Sequence, residues 1–179
     1  MKRASAVAFV VVLVLAAAIS AQTPPPAPKP GPEHKRLAYF AGDWFSEADV
    51  KPSPFGPGGK FTSKDHTRWQ PGGFFLVTHS EWKGGMGDGT GLAVMGYNSD
   101  EKVYTYHEFN SMGEAVSSKG TVAGDTWTWT SESKMGGKVM KTRFTAKELS
   151  PTSYSYKFEM APQSGEWATI MEGKSTKAK

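Results

Sequence analysis

Beyond Gly42, apolar and polar residues alternate with a period of two over much of the chain, the repeat of a strand with one dry and one wet face. Trp127 and Trp129 fall on one side of such a run, while Thr126, Thr128 and Thr130 fall on the other. Tyr154, Tyr156, Phe158 and Met160 share a side opposite Ser155, Lys157 and Glu159. Phe61 and Trp69 have one parity, against Lys64, His66 and Arg68. These runs are rich in Thr, Val, Tyr, Phe and Trp, residues that suit a pleated, half-buried surface.

Clusters of Gly, Pro, Asn, Asp and Ser punctuate the runs at 52–59, 70–73, 84–91, 98–101, 110–113, 123–125, 135–137, 149–152 and 161–165. Nine turns separate ten strands, most of them about 10 residues long. Short connections favour pairing between successive strands, a meander. A ten-stranded twisted sheet leaves two open edges unless it closes on itself. The expected fold is therefore all-β, an antiparallel up-and-down β-barrel of about ten strands. Ahead of it, residues 33–41 place Leu37, Phe40 and Ala41 on one helical face, with Gly42 where a helix-ending glycine belongs. That pattern predicts a short N-terminal helix plugging one end of the barrel.

The first 32 residues follow other rules. Lys2 and Arg3 precede an apolar run over 4–19 interrupted only by Ser5, and small residues Ser20 and Ala21 follow. A charged start, a short apolar middle and a small-residue cut site make residues 1–21 a secretory signal peptide, with cleavage expected after Ala21. A bilayer-spanning helix needs about 20 apolar residues, more than this run supplies. Residues 22–32 hold six of the twelve prolines and read as an extended spacer. The barrel domain is then 33–179, exported to the periplasm or secreted.

Charge and composition narrow the function classes. Lys2 and Arg3 leave with the signal segment, so 21 basic residues become 19 against 17 acidic ones, a formal charge of +2. The charges are interspersed, without the clustered basic face that nucleic-acid binding requires. There is no cysteine, which removes disulfides, thiolate metal sites and cysteine nucleophiles. Stability must come from the core.

Several short motifs carry a family resemblance. Gly42-Asp43-Trp44 opens the first strand after a short helix, as the Gly-x-Trp signature does in lipocalins and related calycins. There the Trp closes one end of the barrel beneath a basic residue of the last strand; Lys174 is the residue of this chain in roughly that region. Leu37-x-x-Phe40-x-Gly42-x-Trp44, a Gly-Gly-Phe-Phe-Leu segment ending at Leu76, Gly96-Tyr97-Asn98 and Lys102-Val103-Tyr104 together resemble a bacterial exported family defined only as a domain of unknown function, number fifteen-seventy-nine. The resemblance spans residues 34–173. It implies a lipocalin-like barrel and supplies no activity.

Candidate chemistry is sparse. The glycine-rich 84–91 leads into a strand, whereas a phosphate-cradling loop must lead into a helix N-terminus; a hairpin loop at the barrel mouth is the better reading. His34, His66, His79 and His107 form no i, i+2 or i, i+4 pair with one another, so neither a metal site nor a cofactor is assigned. By parity with Phe75 and Val77, and with Val103 and Phe109, His79 and His107 are expected to face inward. The chain holds 6 Trp, 10 Phe, 6 Tyr and 8 Met, an inner lining suited to a greasy or flat molecule. The leading expectation is a barrel binding a small apolar or amphipathic ligand. Phe75, Trp127, Trp129, Tyr154, Tyr156 and Phe158 would bury it, and His79, Tyr97 and His107 would orient it. Gly42 and Trp44 are the structural signature. The alternatives are a calycin-type enzyme with an inward His or Glu for proton transfer, with no catalytic residue assigned, and an interaction domain with a filled core.

Overall fold

The computed structural model describes residues 27–178 except Phe55, Met86 and Gly136. The signal segment and residues 22–26 lie outside the described residues. Helix α1 (Pro32–Arg36) and a 3₁₀ turn (Leu37–Phe40) come first. Ten strands follow: β1 (Gly42–Val50), β2 (Gly59–Trp69), β3 (Leu76–Gly84), β4 (Gly89–Asn98), β5 (Val103–Asn110), β6 (Ala115–Ala123), β7 (Thr126–Met135), β8 (Lys138–Ser150), β9 (Ser153–Pro162) and β10 (Ala168–Lys177).

Each strand pairs antiparallel with its sequence neighbours, and β1 also pairs with β10, so the sheet is a closed meander barrel. The closing register runs from Trp44↔Lys177 to Val50↔Met171. Closure removes both sheet edges, as the turn pattern predicts. All nine turn clusters connect consecutive strands. Gly89 and Gly91 belong to β4 itself, which shortens the glycine-rich connection to 85–88.

The helical segment differs from the expected single helix over 33–41. It is α-helical only through Arg36 and then tightens into the 3₁₀ turn. At three residues per turn, Leu37 and Phe40 lie on the same side. Both are buried in the barrel end. Gly42 does not end a helix; it starts β1 at φ 125°, a conformation that a residue with a Cβ rarely adopts.

The core is concentrated at the end this segment plugs, which also carries the connections 70–75, 99–102, 124–125 and 151–152. Leu37, Leu76 and Trp127 are fully buried there, with Phe40, Trp44, Tyr104 and Trp129 nearly so. Trp127 and Trp129 stack at 5.5 Å, and Phe40 meets them edge-on at 5.0 and 5.7 Å. Such aromatic contacts each contribute about 0.5–1.5 kcal/mol beyond area burial.

Buried side-chain polar atoms at this end are paired, the Trp129 indole N–H excepted. The Trp44 indole donates to Phe40 O at 2.9 Å, and the Trp127 indole donates to Glu148 Oε1 at 2.7 Å. The Tyr39 hydroxyl lies against Ser150 O and Ser153 O, and its pKa is pushed up to about 12, first by burial and then by Glu148. Arg36 pairs with Glu148 and lies 4.9 Å from the Trp127 ring centroid. The cation over Trp44 is Lys177, at 5.0 Å from the ring. Lys174, the residue expected there, instead faces outward opposite Glu47 on β1. The closing register decides this, because it sets Lys177 directly across from Trp44.

Candidate functional site

The opposite end is a mouth framed by the connections 51–58, 85–88, 111–114, 136–137 and 163–167. Strand alternation determines what it shows. On β2, Phe61, Ser63, Asp65, Thr67 and Trp69 point inward, so the expected apolar face carries three polar residues at its centre. Ser46 of β1, Thr78 and Ser80 of β3, Tyr106 and Glu108 of β5, Tyr154 and Tyr156 of β9 and Ser175 of β10 also point inward. Together they form a polar belt above the aromatic floor. Around and above it lie Phe61, Trp82, Phe158 and Met171.

Leu37, Leu76, Tyr104, Trp127 and Trp129 of the floor are buried. Asp65, Ser80, Trp82, Tyr106, Glu108, Phe158 and Met171 are only half-buried although they face the barrel axis. Val116, inward on β6 beside the mouth, is 36% exposed. Solvent can reach an inward side chain only through an opening, so the mouth half is a cup.

Glycines shape that cup. A Cβ at Gly89 would come within 2.5 Å of the Trp82 ring, and one at Gly91 within 3.1 Å. These two inward glycines give the indole room to lie against β4. Gly173 does the same for Tyr156, whose Cζ would be 2.8 Å from an added Cβ. The glycine-rich segment thus seats a ring, and it leads into strand β4 rather than a helix N-terminus.

The belt is acidic. The Tyr106 hydroxyl donates to Glu108 Oε2, and burial first, then Glu108, pushes the phenol's pKa well above its usual range. Burial raises the Asp65 pKa against the opposing hydrogen bonds of Ser80 and Ser63. Tyr154 and Tyr156 are likewise raised, chiefly by burial, and Asp65 adds to both. Three phenols are therefore held protonated beside a carboxylate. Among the described residues neither Asp65 nor Glu108 forms an ion pair. The Trp129 indole N–H, buried over Gly120, has no hydrogen-bond partner among the described residues.

A family profile described as a protein of unknown function (DUF1579) matches residues 29–177. The chain belongs to the DUF1579 family. No curated protein matches it. Among solved structures it is similar to the crystal structure of Rv2717c from M. tuberculosis, with TM-score 0.57 and 10% identity over 83% of this chain and 99% of that one. At that identity the likeness concerns the barrel fold alone.

Within this DUF1579 barrel, the residues expected to line a ligand divide into three groups. Tyr154, Tyr156 and Phe158 face the interior at or above the belt. Trp127, Trp129 and Tyr97 are inward but belong to the floor, where Tyr97 packs edge-on against His34 and Tyr104. Phe75, His79 and His107 face outward. Phe75 is 47% exposed and covers Gly96, where a Cβ would lie 2.6 Å from its ring. His79 is exposed and sits across from His66. His107 is exposed and within 2.9 Å of Ser117 Oγ. The parity argument failed for both histidines because their strands carry apolar residues on both faces.

Sequence reasoning missed Asp65, Tyr106, Glu108 and Trp82. The signal for the first three was available only as parity: Asp65 lies between Phe61 and Trp69 at even spacing, and Tyr106 and Glu108 alternate with His107. Among the described residues no group of three or more His, Asp or Glu side chains converges as a metal site. The inward acids, Asp65 and Glu108, are hydrogen-bonded to the hydroxyls of Ser63, Ser80 and Tyr106 and to no histidine.

Proposed function

We propose that the chain is an exported barrel that binds a small amphipathic molecule in the cup at its mouth. The observation that carries this reading is the unneutralised polar belt of Asp65, Tyr106 and Glu108, half-exposed to solvent from within the barrel, with buried Tyr156 beside it. A core residue that only filled space would gain by being apolar, since a buried carboxylate is costly unless something pairs with it. The apolar body of the ligand would contact Phe61, Trp82, Phe158 and Met171, nearer the rim. Its polar group, carrying hydrogen-bond donors such as a hydroxyl, amide or amine, would reach the carboxylates. Area burial at about 25 cal/mol per Å² supplies the affinity, less the cost of ordering the ligand. The Trp44–Lys177 pair closing the other end supports a relation to calycin-type barrels, in which one end is sealed and the other open.

The test is native mass spectrometry of the protein purified from its own host without detergent. A stoichiometric adduct that is retained by the wild type and lost in Phe158→Glu is the expected result. An unliganded mass under gentle conditions, together with no fluorescence gain on titration with the neutral dye Nile red, would sink the reading.

A further inference from the structure

The barrel wall is not paired along its whole height. β6 and β7 pair only from Ala123↔Thr126 to Lys119↔Thr130. On their other sides, β5 stays paired with β6 to Phe109↔Ala115, and β7 with β8 to Met135↔Lys138. Above Lys119 and Thr130 the two strands therefore part, each held by its outer neighbour. A cavity of about 500 Å³ opens between them.

Its lining has a distinct chemistry. Residues of inward parity (Ser118, Ser131, Thr142) and of outward parity (His107, Ser117, Thr130) meet there. Six of its eleven lining residues bear hydroxyl groups and none is aliphatic. Ser131 and Thr142 are hydrogen-bonded at 2.7 Å, and His107 with Ser117 at 2.9 Å, so these groups are held in place before any ligand arrives. Of the three charged lining residues, Lys119 is already paired with Glu101 at 2.6 Å, and Lys141 stands directly across from Glu132 on the neighbouring strand.

The one aromatic lining residue is Trp167, 38% exposed in the β9–β10 connection. The Arg143 guanidinium lies 4.3 Å from its ring centroid. Arg143 Nε in turn donates to Glu159 Oε2 at 2.7 Å, and Lys157 Nζ holds the other oxygen at 2.8 Å. Those partners, Arg143 foremost, keep the Glu159 carboxyl below its usual pKa, so the anchor stays charged near neutrality. An indole in a loop is thereby fixed as a platform.

We infer that the cleft between β6 and β7 is a saccharide-binding site, with a pyranose ring stacked on Trp167 and its hydroxyls bonded to Ser118, Ser131 and Thr142. A sugar ring offers an apolar C–H face to an aromatic platform and a rim of hydroxyls to a hydroxyl-rich wall. A lipid would find no aliphatic surface here, and each lining cation already faces a carboxylate, Lys119 at Glu101 and Lys141 at Glu132. The inward hydroxyls place this cleft in the wall of the cup, with Ser118 across from Tyr106 of the belt. Trp167 and His107, on the outer side, report sugar binding here, so a sugar that moves neither leaves the cup reading standing.

The experiment is a ¹H–¹⁵N NMR titration of the full mature chain with maltotriose, cellotriose and tri-N-acetylchitotriose at millimolar concentration. At least one trisaccharide should shift the Trp167 indole and His107 signals. Trp167→Ala should weaken that binding about tenfold, the scale of one aromatic contact. Ser118→Ala, a milder change that keeps the barrel intact, should weaken it about threefold, as loss of one hydrogen bond does. Leu149→Ala, at an exposed position near the helix end, should leave it unchanged. If none of the three sugars moves these signals, or if Trp167→Ala and Ser118→Ala bind as tightly as wild type, the inference is wrong.

Discussion

The helix end and the mouth are built from the same ten strands, yet they differ in how polar groups are treated. At the helix end the indoles of Trp44 and Trp127 and the hydroxyl of Tyr39 each reach an acceptor, and Glu148 is met by Arg36. At the mouth end Asp65 and Glu108 face the axis, hydrogen-bonded by the hydroxyls of Ser63, Ser80 and Tyr106 and without an ion pair among the described residues. A buried polar group stabilises a fold when its partners lie inside the chain. The same group left with capacity to spare weakens the fold and is available to something else. The two halves thus separate stability from recognition, and substitutions should separate them too.

The largest effect is expected for Trp127→Ala. This side chain is fully buried between Phe40, Tyr104 and Trp129, and its removal should lower the unfolding free energy by about 3–5 kcal/mol. Phe158→Ala, half-buried in the cup, should cost about 1–2 kcal/mol. Urea denaturation of both decides the matter; equal losses would erase the distinction between floor and cup.

Gly89→Ala comes next. Its new Cβ would meet the Trp82 ring at 2.5 Å, and overpacking of this kind costs about 1–3 kcal/mol. The Trp82 ring must also move, so the tryptophan emission should shift with it. Gly56→Ala, whose Cβ would meet, among the described residues, only Gly85 O at 3.8 Å, is the control and should stay within about 0.5 kcal/mol of wild type.

Glu148→Gln weakens a paired site rather than emptying it. It removes the ion pair with Arg36 and softens the bond from the Trp127 indole, a loss of about 1–2 kcal/mol by chemical denaturation. The loss should be insensitive to any ligand added to the cup.

The smallest change has the opposite sign. Burial raises the folded-state pKa of Asp65 above its ordinary 3.8, so the native state holds this proton more tightly than the unfolded chain does. Asp65 therefore destabilises the fold at neutral pH, and the penalty is relieved as pH falls through the folded pKa towards 3.8. Asp65→Asn should raise the melting temperature at pH 7 and lose that advantage by about pH 3. Melting curves across that range would show it. A variant less stable than wild type at pH 7 would mean that the bonds from Ser63 and Ser80 outweigh the cost of burying the charge.

How much of this was legible beforehand depends on the strand. In β7 and β9 one face is aromatic and the other is polar, so Trp127, Trp129, Tyr154, Tyr156 and Phe158 could be directed inward from parity alone. In β5, Tyr104 and Tyr106 lie on one face while Val103, His107 and Phe109 lie on the other, and apolar content does not choose between them. The same ambiguity in β3 sent Phe75, Val77 and His79 to the wrong side. Phe75 is apolar because it shields the outer face of Gly96, a local reason that no periodicity reveals.

Alternation and turn chemistry are local properties, written in residues adjacent along the chain. They determined by themselves the ten strands, the meander order and, through the liability of open edges, the closure into a barrel. The tertiary structure alone decided which end is sealed and which is open. It set Lys177 over Trp44 through the register of β1 with β10, brought Asp65, Tyr106 and Tyr156 to one belt from three distant strands, and parted β6 from β7 above Lys119 and Thr130. Each of these depends on the stagger accumulated around the closed sheet, and stagger is fixed only when the last strand meets the first.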